Sequence, residues 1–364
     1  MQGTDIKNEL INIIRDEILQ HNPKWSKEQL TPIAHSLSPI GCSFYLRANN
    51  NTYFLKYIRD ALYREHTEKI SRLLMELSPG LVPALINQVG GGGLLYEYLS
   101  PAGASSYSLI TIKPVLHALC TLHNQSKKVN AESIPQLASS SLLTISRDLL
   151  EQSEAEFQQS PSLFQQIPAV KKSTELFAYL QAKLEMEEDV LNNLSPQGIH
   201  QVLSHGDINT GNILTRNASV VFADLEHVGF RDFTDDLAQT ILMLESISIE
   251  TIHSVISHYL KTVQGVRGIG RRTLAQIVCS KTIIASTYQI LCMLIYYLSL
   301  KRLGYSYSKE ESLLATPPES PQKEPGCLVL SSQWKDDPEL PLEIVQQFIR
   351  LQNLTTLAKS ARGA

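Results

Sequence analysis

Excess positive charge, paired cysteines and glycine-rich phosphate loops are scarce or missing in this chain. The formal net charge is -4, from 32 Lys and Arg against 36 Asp and Glu, so the clustered cations that hold a nucleic-acid backbone are lacking. The short pairs Lys127-Lys128 and Arg271-Arg272 read as solvated surface. Five cysteines, Cys42, Cys120, Cys279, Cys292 and Cys327, are scattered without a C-x-x-C pair, which fits reduced thiols in a cytoplasmic compartment better than disulfides or zinc. No secretory signal is visible at the start, and no internal repeat is apparent. The longest apolar pattern, 283–300, is interrupted by Ser286, Thr287, Gln289 and Ser299, so it reads as a buried core helix and not a membrane span. Neither a nucleic-acid nor a membrane partner is expected.

What the chain does have is apolar material for more than one core. Its 364 residues are 43% hydrophobic and 19% charged, the balance of a globular protein with two lobes or domains. Residues 5–20 carry Ile6, Leu10, Ile13, Ile14 and Ile18 at helical spacing, with Thr4 or Asp5 as N-cap; this predicts a packing helix. Strand texture follows, with Phe44-Tyr45-Leu46 and Tyr53-Phe54-Leu55-Lys56-Tyr57-Ile58 either side of the turn signal Asn49-Asn50-Asn51. Lys56 then shares a face with Phe54 and Ile58, where a lysine is costly unless an anion meets it. Leu62, Ile70, Leu73, Leu74 and Leu77 define the next helix, with Glu65 near the border of its apolar face and Glu68 nearly opposite. Glu65 is therefore the expected partner of Lys56. Gly90-Gly91-Gly92-Gly93 has no following Lys-Ser/Thr and reads as a hairpin turn.

Further on, residues 111–123 predict an amphipathic helix ending in Leu122-His123, with His123 packed or capping. The stretch 145–194 is helical and acidic, with Glu185, Glu187, Glu188 and Asp189 among its carboxylates. It suits a cationic acceptor or, equally, a solvated face. Apolar helices are expected at 242–260 and 274–300, an exposed proline-rich loop at 316–325, and a terminal helix at 340–357.

The densest chemistry lies in Ser204-His205-Gly206-Asp207-Ile208-Asn209-Thr210-Gly211-Asn212-Ile213-Leu214, followed by Phe222-Ala223-Asp224-Leu225-Glu226. An Asp, an Asn five positions on, and a second Asp after an apolar strand suit magnesium-assisted phosphoryl transfer. One carboxylate takes the proton of the acceptor hydroxyl, while an amide oxygen and another carboxylate hold the metal that bridges the nucleotide phosphates.

Together with Asp235-Asp236-Leu237-Ala238, this pattern resembles the aminoglycoside phosphotransferase and choline kinase superfamily of small-molecule kinases, which are similar to protein kinases in fold. The resemblance implies a two-lobed α+β fold. Residues 1–99 would form a nucleotide-binding lobe of antiparallel sheet with the leading helix 5–20, and residues 100–364 a mainly helical catalytic and acceptor-binding lobe. It implies ATP and Mg2+ as cofactors and Asp207 as catalytic base, with Asn212 and Asp224 on the metal. Glu226 would be a second carboxylate ligand, directly or through water, and His205 and Asp236 would support the loop. Lys56, paired with Glu65, would meet the α- and β-phosphates, Ser43 would lie in the loop covering them, and the backbones of Glu97, Tyr98 and Leu99 would read the adenine edge at the hinge. That covering loop, Ser38-Pro39-Ile40-Gly41-Cys42-Ser43, has one glycine where protein kinases have three. The implied acceptor is a small-molecule hydroxyl, on an aminoglycoside, choline-like amine, sugar or amino-alcohol. The missing Asp-Phe-Gly to Ala-Pro-Glu segment argues against a protein-directed kinase, and a non-catalytic module would bind ATP without turnover.

Overall fold

The computed structural model describes residues 3–33, 41–104, 106–131, 134, 141–159, 170–194, 201–263, 269–302 and 342–363. The chain divides into two compact units, one of Met1–Ser139, Gln201–Asp236 and His258–Gly265, the other of Ser140–His200, Leu237–Ser257 and Val266–Ala364.

The first unit is built on a five-stranded antiparallel sheet. Its order is β1 (Leu30–Pro32), β2 (Gly41–Ala48), β3 (Asn51–Ile58), β5 (Gly93–Glu97), β4 (Leu85–Val89). Asn49 and Asn50 join β2 to β3 at φ of 52° and 61°, a conformation that asparagine tolerates in a two-residue hairpin. Gly91 and Gly92, at φ of 83° and 98°, turn β4 into β5, so the tetraglycine run is a hairpin connection as expected. Alternation along β3 separates two faces. Leu55 and Tyr57 pack with Phe44 and Leu46 under α1 (Gly3–His21), which contributes Ile14 and Ile18; burying each isoleucine is worth about 2–3 kcal/mol. Glu17 of α1 also accepts a hydrogen bond from the Tyr57 hydroxyl at 3.0 Å. Phe54 and Ile58 lie on the other face, packed with Leu94 and Tyr96, and Lys56 projects among them.

Helix α2 (Ala61–Leu77) starts at Asp60, whose carboxylate caps Tyr63 N at 3.0 Å. Two further small sheets follow. β7 (Gln201–Ser204) pairs antiparallel with β10 (Gly229–Asp232), and β6 (Ser100–Pro101) pairs with β8 (Ile213–Arg216), which pairs with β9 (Ser219–Phe222). Helix α3 (Lys113–Asn124) packs against β7 and β9.

In the second unit α8 (Arg271–Arg302) packs against α4 (Leu142–Gln159), α5 (Val170–Leu194) and α9 (Leu342–Gly363). The span Arg271–Ile295 is long and apolar enough to cross a membrane, but an 18-residue window within it is 78% buried, as a core helix would be. The acidic stretch is partly spent internally: Glu188 pairs with Arg147, and the fully buried Glu187 with Arg362. Helices α6 (Phe233–Leu242) and α7 (Ile249–Thr262) each contribute residues to both units. Cys42, Cys120 and Cys279 are free, buried thiols. Residues 38–40, the proline-rich run 316–325 and Cys327 lie outside the described residues.

Candidate active site

The loop after β7 turns at Gly206, whose φ is 81°. A Cβ there would collide with the Arg231 guanidinium and lie 2.5 Å from the His227 carbonyl, so only glycine fits. Asp236, fully buried, sits under the turn. Its Oδ2 accepts from His205 N at 2.8 Å and from His123 Nε2 at 2.9 Å, and its Oδ1 accepts from Gly206 N at 2.9 Å. His123 Nδ1 in turn meets the Tyr259 hydroxyl at 2.6 Å. Burial alone would raise the Asp236 pKa, but the hydrogen bond and charge of His123, with His205 and Gly206, hold it at about 2. His205 Nε2 lies 2.8 Å from the Ala223 carbonyl. A carbonyl only accepts, so Nε2 carries the proton and Nδ1 accepts from Asp207 N at 3.3 Å.

Asp207 is gripped by two amides. Its Oδ2 accepts from Asn212 Nδ2 at 2.9 Å and from Asn209 Nδ2 at 3.2 Å. Asn209 Oδ1 meanwhile accepts from Gly211 N and Asn212 N at 2.9 and 3.2 Å, which fixes the turn from Asp207 to Asn212. With its nitrogen committed to Asp207, Asn212 has its amide oxygen left for a cation. The β8–β9 hairpin turns at Asn217 and Ala218, both at positive φ. It brings Ala223 N to within 2.9 Å of Asn212 O, so Asp224 arrives beside Asn212.

Asp224 sits in the left-handed region at φ 65°, ψ 66°, a conformation costing about 1–3 kcal/mol outside glycine. It ends the strand. Leu225–His227 then forms a 3-10 turn, so Glu226 reaches the site through that turn and not along a continuing strand. Lys56 forms ion pairs with both Asp224 Oδ1 and Glu226 Oε1. Asp224 is 37% exposed, whereas Glu226 is 6% exposed. Burial would raise the Glu226 pKa, but the charge and hydrogen bond of Lys56 outweigh it and leave the carboxyl below its ordinary value. Burial lowers the pKa of the neighbouring His227.

The expected pairing of Lys56 with Glu65 is not formed: Glu65 is exposed on α2. The buried face of that helix consists of His66, Thr67, Ile70, Ser71 and Leu74, while Leu62 is 60% exposed. Leucine spacing therefore places the face about 60° from where small polar residues put it, and Glu65 falls about 180° from the true centre. Glu68 is engaged with Arg72 and Gln88.

A cavity of about 480 Å³ opens beside these residues, lined by Lys56, Asn212, Asp224, Glu226, Ser43 and Glu97 to Leu99 among others. Its size lies within the range of about 300–1,000 Å³ usual for small-ligand sites. Ser43 is 8% exposed and its carbonyl accepts from Ile33 N at 3.0 Å. At the hinge, Glu97 N donates to Ala84 O at 2.9 Å, so the backbone donor of Glu97 is already used. Its carboxylate accepts from Ala84 N at 2.7 Å and from Arg216. Tyr98 meets the Tyr45 ring edge-on at 5.6 Å. Asn209, Tyr259 and Arg216 escape sequence reading, because each acts through a partner distant in the chain or hidden in a turn. For Asn209 the signal is its place two residues after Asp207, where an Asx turn forms.

Among the described residues no three His, Cys, Asp or Glu side chains form a closed metal cage. Hard oxygens from Asn212 and Asp224 fit magnesium, which usually takes one or two carboxylates and completes its shell with water and phosphates.

No curated protein matches the sequence. Several solved structures share the fold. The choline kinase of Cryptosporidium parvum Iowa II is 13% identical, with a TM-score of 0.53, covering 82% of this chain and 92% of that one. LicA, solved in complex with AMP, is 16% identical at a TM-score of 0.52, covering 95% and 98%. The Plasmodium vivax ethanolamine kinase is 17% identical at 0.51, covering 81% and 86%. The fold is thus the α+β, protein-kinase-like one that the motifs led us to expect. The profile of the phosphotransferase enzyme family matches residues 39–268, a span that takes in β2 to β5 and the whole Asp207 to Asp236 segment, and the chain belongs to that family.

Proposed function

We propose that this phosphotransferase moves the γ-phosphate of ATP, with magnesium, to a hydroxyl of a small molecule. The observation that carries the reading is that Asp207, held by Asn209 and Asn212, is hydrogen-bonded to a residue, Asn212, that lines a cavity together with Lys56 and Asp224. Residues 1–99 act as the nucleotide lobe, and residues 100–364 supply catalytic and acceptor-binding groups. Asp207 orients the acceptor hydroxyl and takes its proton as the phosphoryl group departs. Lys56 meets the α- and β-phosphates, and the backbone of Tyr98 and Leu99 reads the base. Asn212 and Asp224 hold magnesium, which when bound neutralises charge on the β- and γ-phosphates. Asp236 and His205 keep the loop from sagging away from the cavity. Amino-alcohols are the first acceptors to try, since kinases of choline and ethanolamine share the fold; aminosugars and sugars come next.

The test is a mass measurement of phosphorylated product after incubation with magnesium-ATP and that acceptor panel. One acceptor converted in step with ADP release supports the proposal. Tight magnesium-ATP binding with no product from any hydroxyl compound would favour a non-catalytic nucleotide-binding module.

A further inference from the structure

We infer that Glu226 is the positioning residue for Lys56, the task that a carboxylate on the helix after β3 performs in protein kinases, and that magnesium is left to Asn212 and Asp224. The inference rests on the proposed function, because it assigns parts within that nucleotide site.

Three observations carry it. First, Lys56 is clasped by Glu226 and Asp224, both from the segment after β9, with no ion pair to α2 among the described residues. Secondly, the buried face of α2 holds no carboxylate; Thr67 is its contribution to the cavity lining, and Glu65 is exposed. Thirdly, the two acids after β9 differ in access. Asp224 is 37% exposed, as a ligand sharing magnesium with water and phosphates must be. Glu226 is almost wholly buried; Oε1 is on Lys56, and Oε2 has no hydrogen-bond partner among the described residues. Lys56 is the counter-charge of this buried carboxylate. The pair joins β3 to the 3-10 turn at Leu225–His227 and not to α2.

The experiment is titration calorimetry of ADP against the full chain, once with magnesium and once with EDTA. The variants are Glu226→Gln, Glu65→Gln, Lys56→Met and the Lys56→Met/Glu226→Gln double. Glu226→Gln is expected to weaken ADP by about tenfold, the scale of one charge-assisted contact, and equally in both conditions. Glu65→Gln should stay within about twofold, and Glu226→Gln should add no further loss in the Lys56→Met background. A loss confined to magnesium makes Glu226 a metal ligand and overturns the inference, as does a larger loss from Glu65→Gln. If Glu226→Gln alone fails to fold, recovery of folding in the double variant supports the pairing, and an unfolded double beside a folded Lys56→Met contradicts it. Wild-type protein that binds no ADP in either condition removes the proposed function itself, a result distinct from these.

Discussion

Replacing Asp236 by Asn asks whether one buried carboxylate holds the catalytic loop. In the native protein its two oxygens receive N–H groups from His205, Gly206 and His123 at 2.8–2.9 Å. An amide keeps one oxygen and turns the other position into a donor. Whichever way it is rotated, a buried N–H then faces another N–H. Hydrogen bonds to charged groups are worth about 1.5–3 kcal/mol each, so we expect a loss of about 3 kcal/mol near neutral pH. The sign of the pH dependence follows from the lowered pKa. The carboxyl moves from 3.8 to about 2 on folding, so its stabilisation is complete above about pH 4 and is lost as pH falls through about 2; the whole effect is about 2 kcal/mol. The Asn variant has no such group to protonate. Chemical denaturation of both proteins should show a stability gap that is constant from about pH 7 to pH 4.5 and about 1 kcal/mol narrower by pH 3. A gap below about 0.5 kcal/mol at neutral pH, or one that widens on acidification, would refute the reasoning.

Three other substitutions probe neighbouring parts. Gly206→Ala forces a side chain into a φ of 81° and against the His227 carbonyl; a loss of more than about 1 kcal/mol in urea denaturation is expected. Asn212→Ala removes the 2.9 Å donor to Asp207 and an oxygen for the cation, so kcat should fall by about a hundredfold and the magnesium concentration for half-maximal rate should rise. Arg216 donates to Pro79 O at 3.1 Å, to Val82 O at 3.2 Å and to Glu97. Arg216→Met should cost about 2 kcal/mol and raise KM for ATP more than it changes kcat, since it loosens the hinge and not the base.

Local patterns carry the legible parts of this structure. The β2–β3 hairpin is readable because alternation and an Asn turn act over neighbouring residues, and Lys56 stands out because its strand period places it among Phe54 and Ile58. The spacing from His205 to Asn212 is likewise local, so the loop assembles within a few residues of itself. Failures occur where tertiary packing overrides a one-dimensional rule. Leu62 counts toward an apolar face but is 60% exposed, while Thr67 and Ser71 are buried, and so Glu65 turns away from Lys56. Glu226 stands two residues after Asp224, yet the left-handed Asp224 and the 3-10 turn bring it onto Lys56. The Glu97 backbone donor is spent on Ala84, a residue 13 positions earlier. Acidic residues on α5 suggest a cationic ligand until Arg147 and Arg362 are found beside them. None of these partners leaves a trace in its neighbours' spacing.

The most direct test of the account is Asp207→Asn, with ADP binding and phosphoryl transfer measured on the same preparation. The amide preserves size, and among the described residues the Asp207 carboxylate bonds only Asn209 and Asn212 of its own loop, so magnesium-ADP affinity and thermal unfolding should match the wild type. Turnover on the best acceptor should fall by about 10²–10⁴-fold, the usual worth of a positioned general base. Retention of near-native turnover by a folded, nucleotide-binding Asp207→Asn protein would contradict the assignment of Asp207, and with it the mechanism proposed for this site.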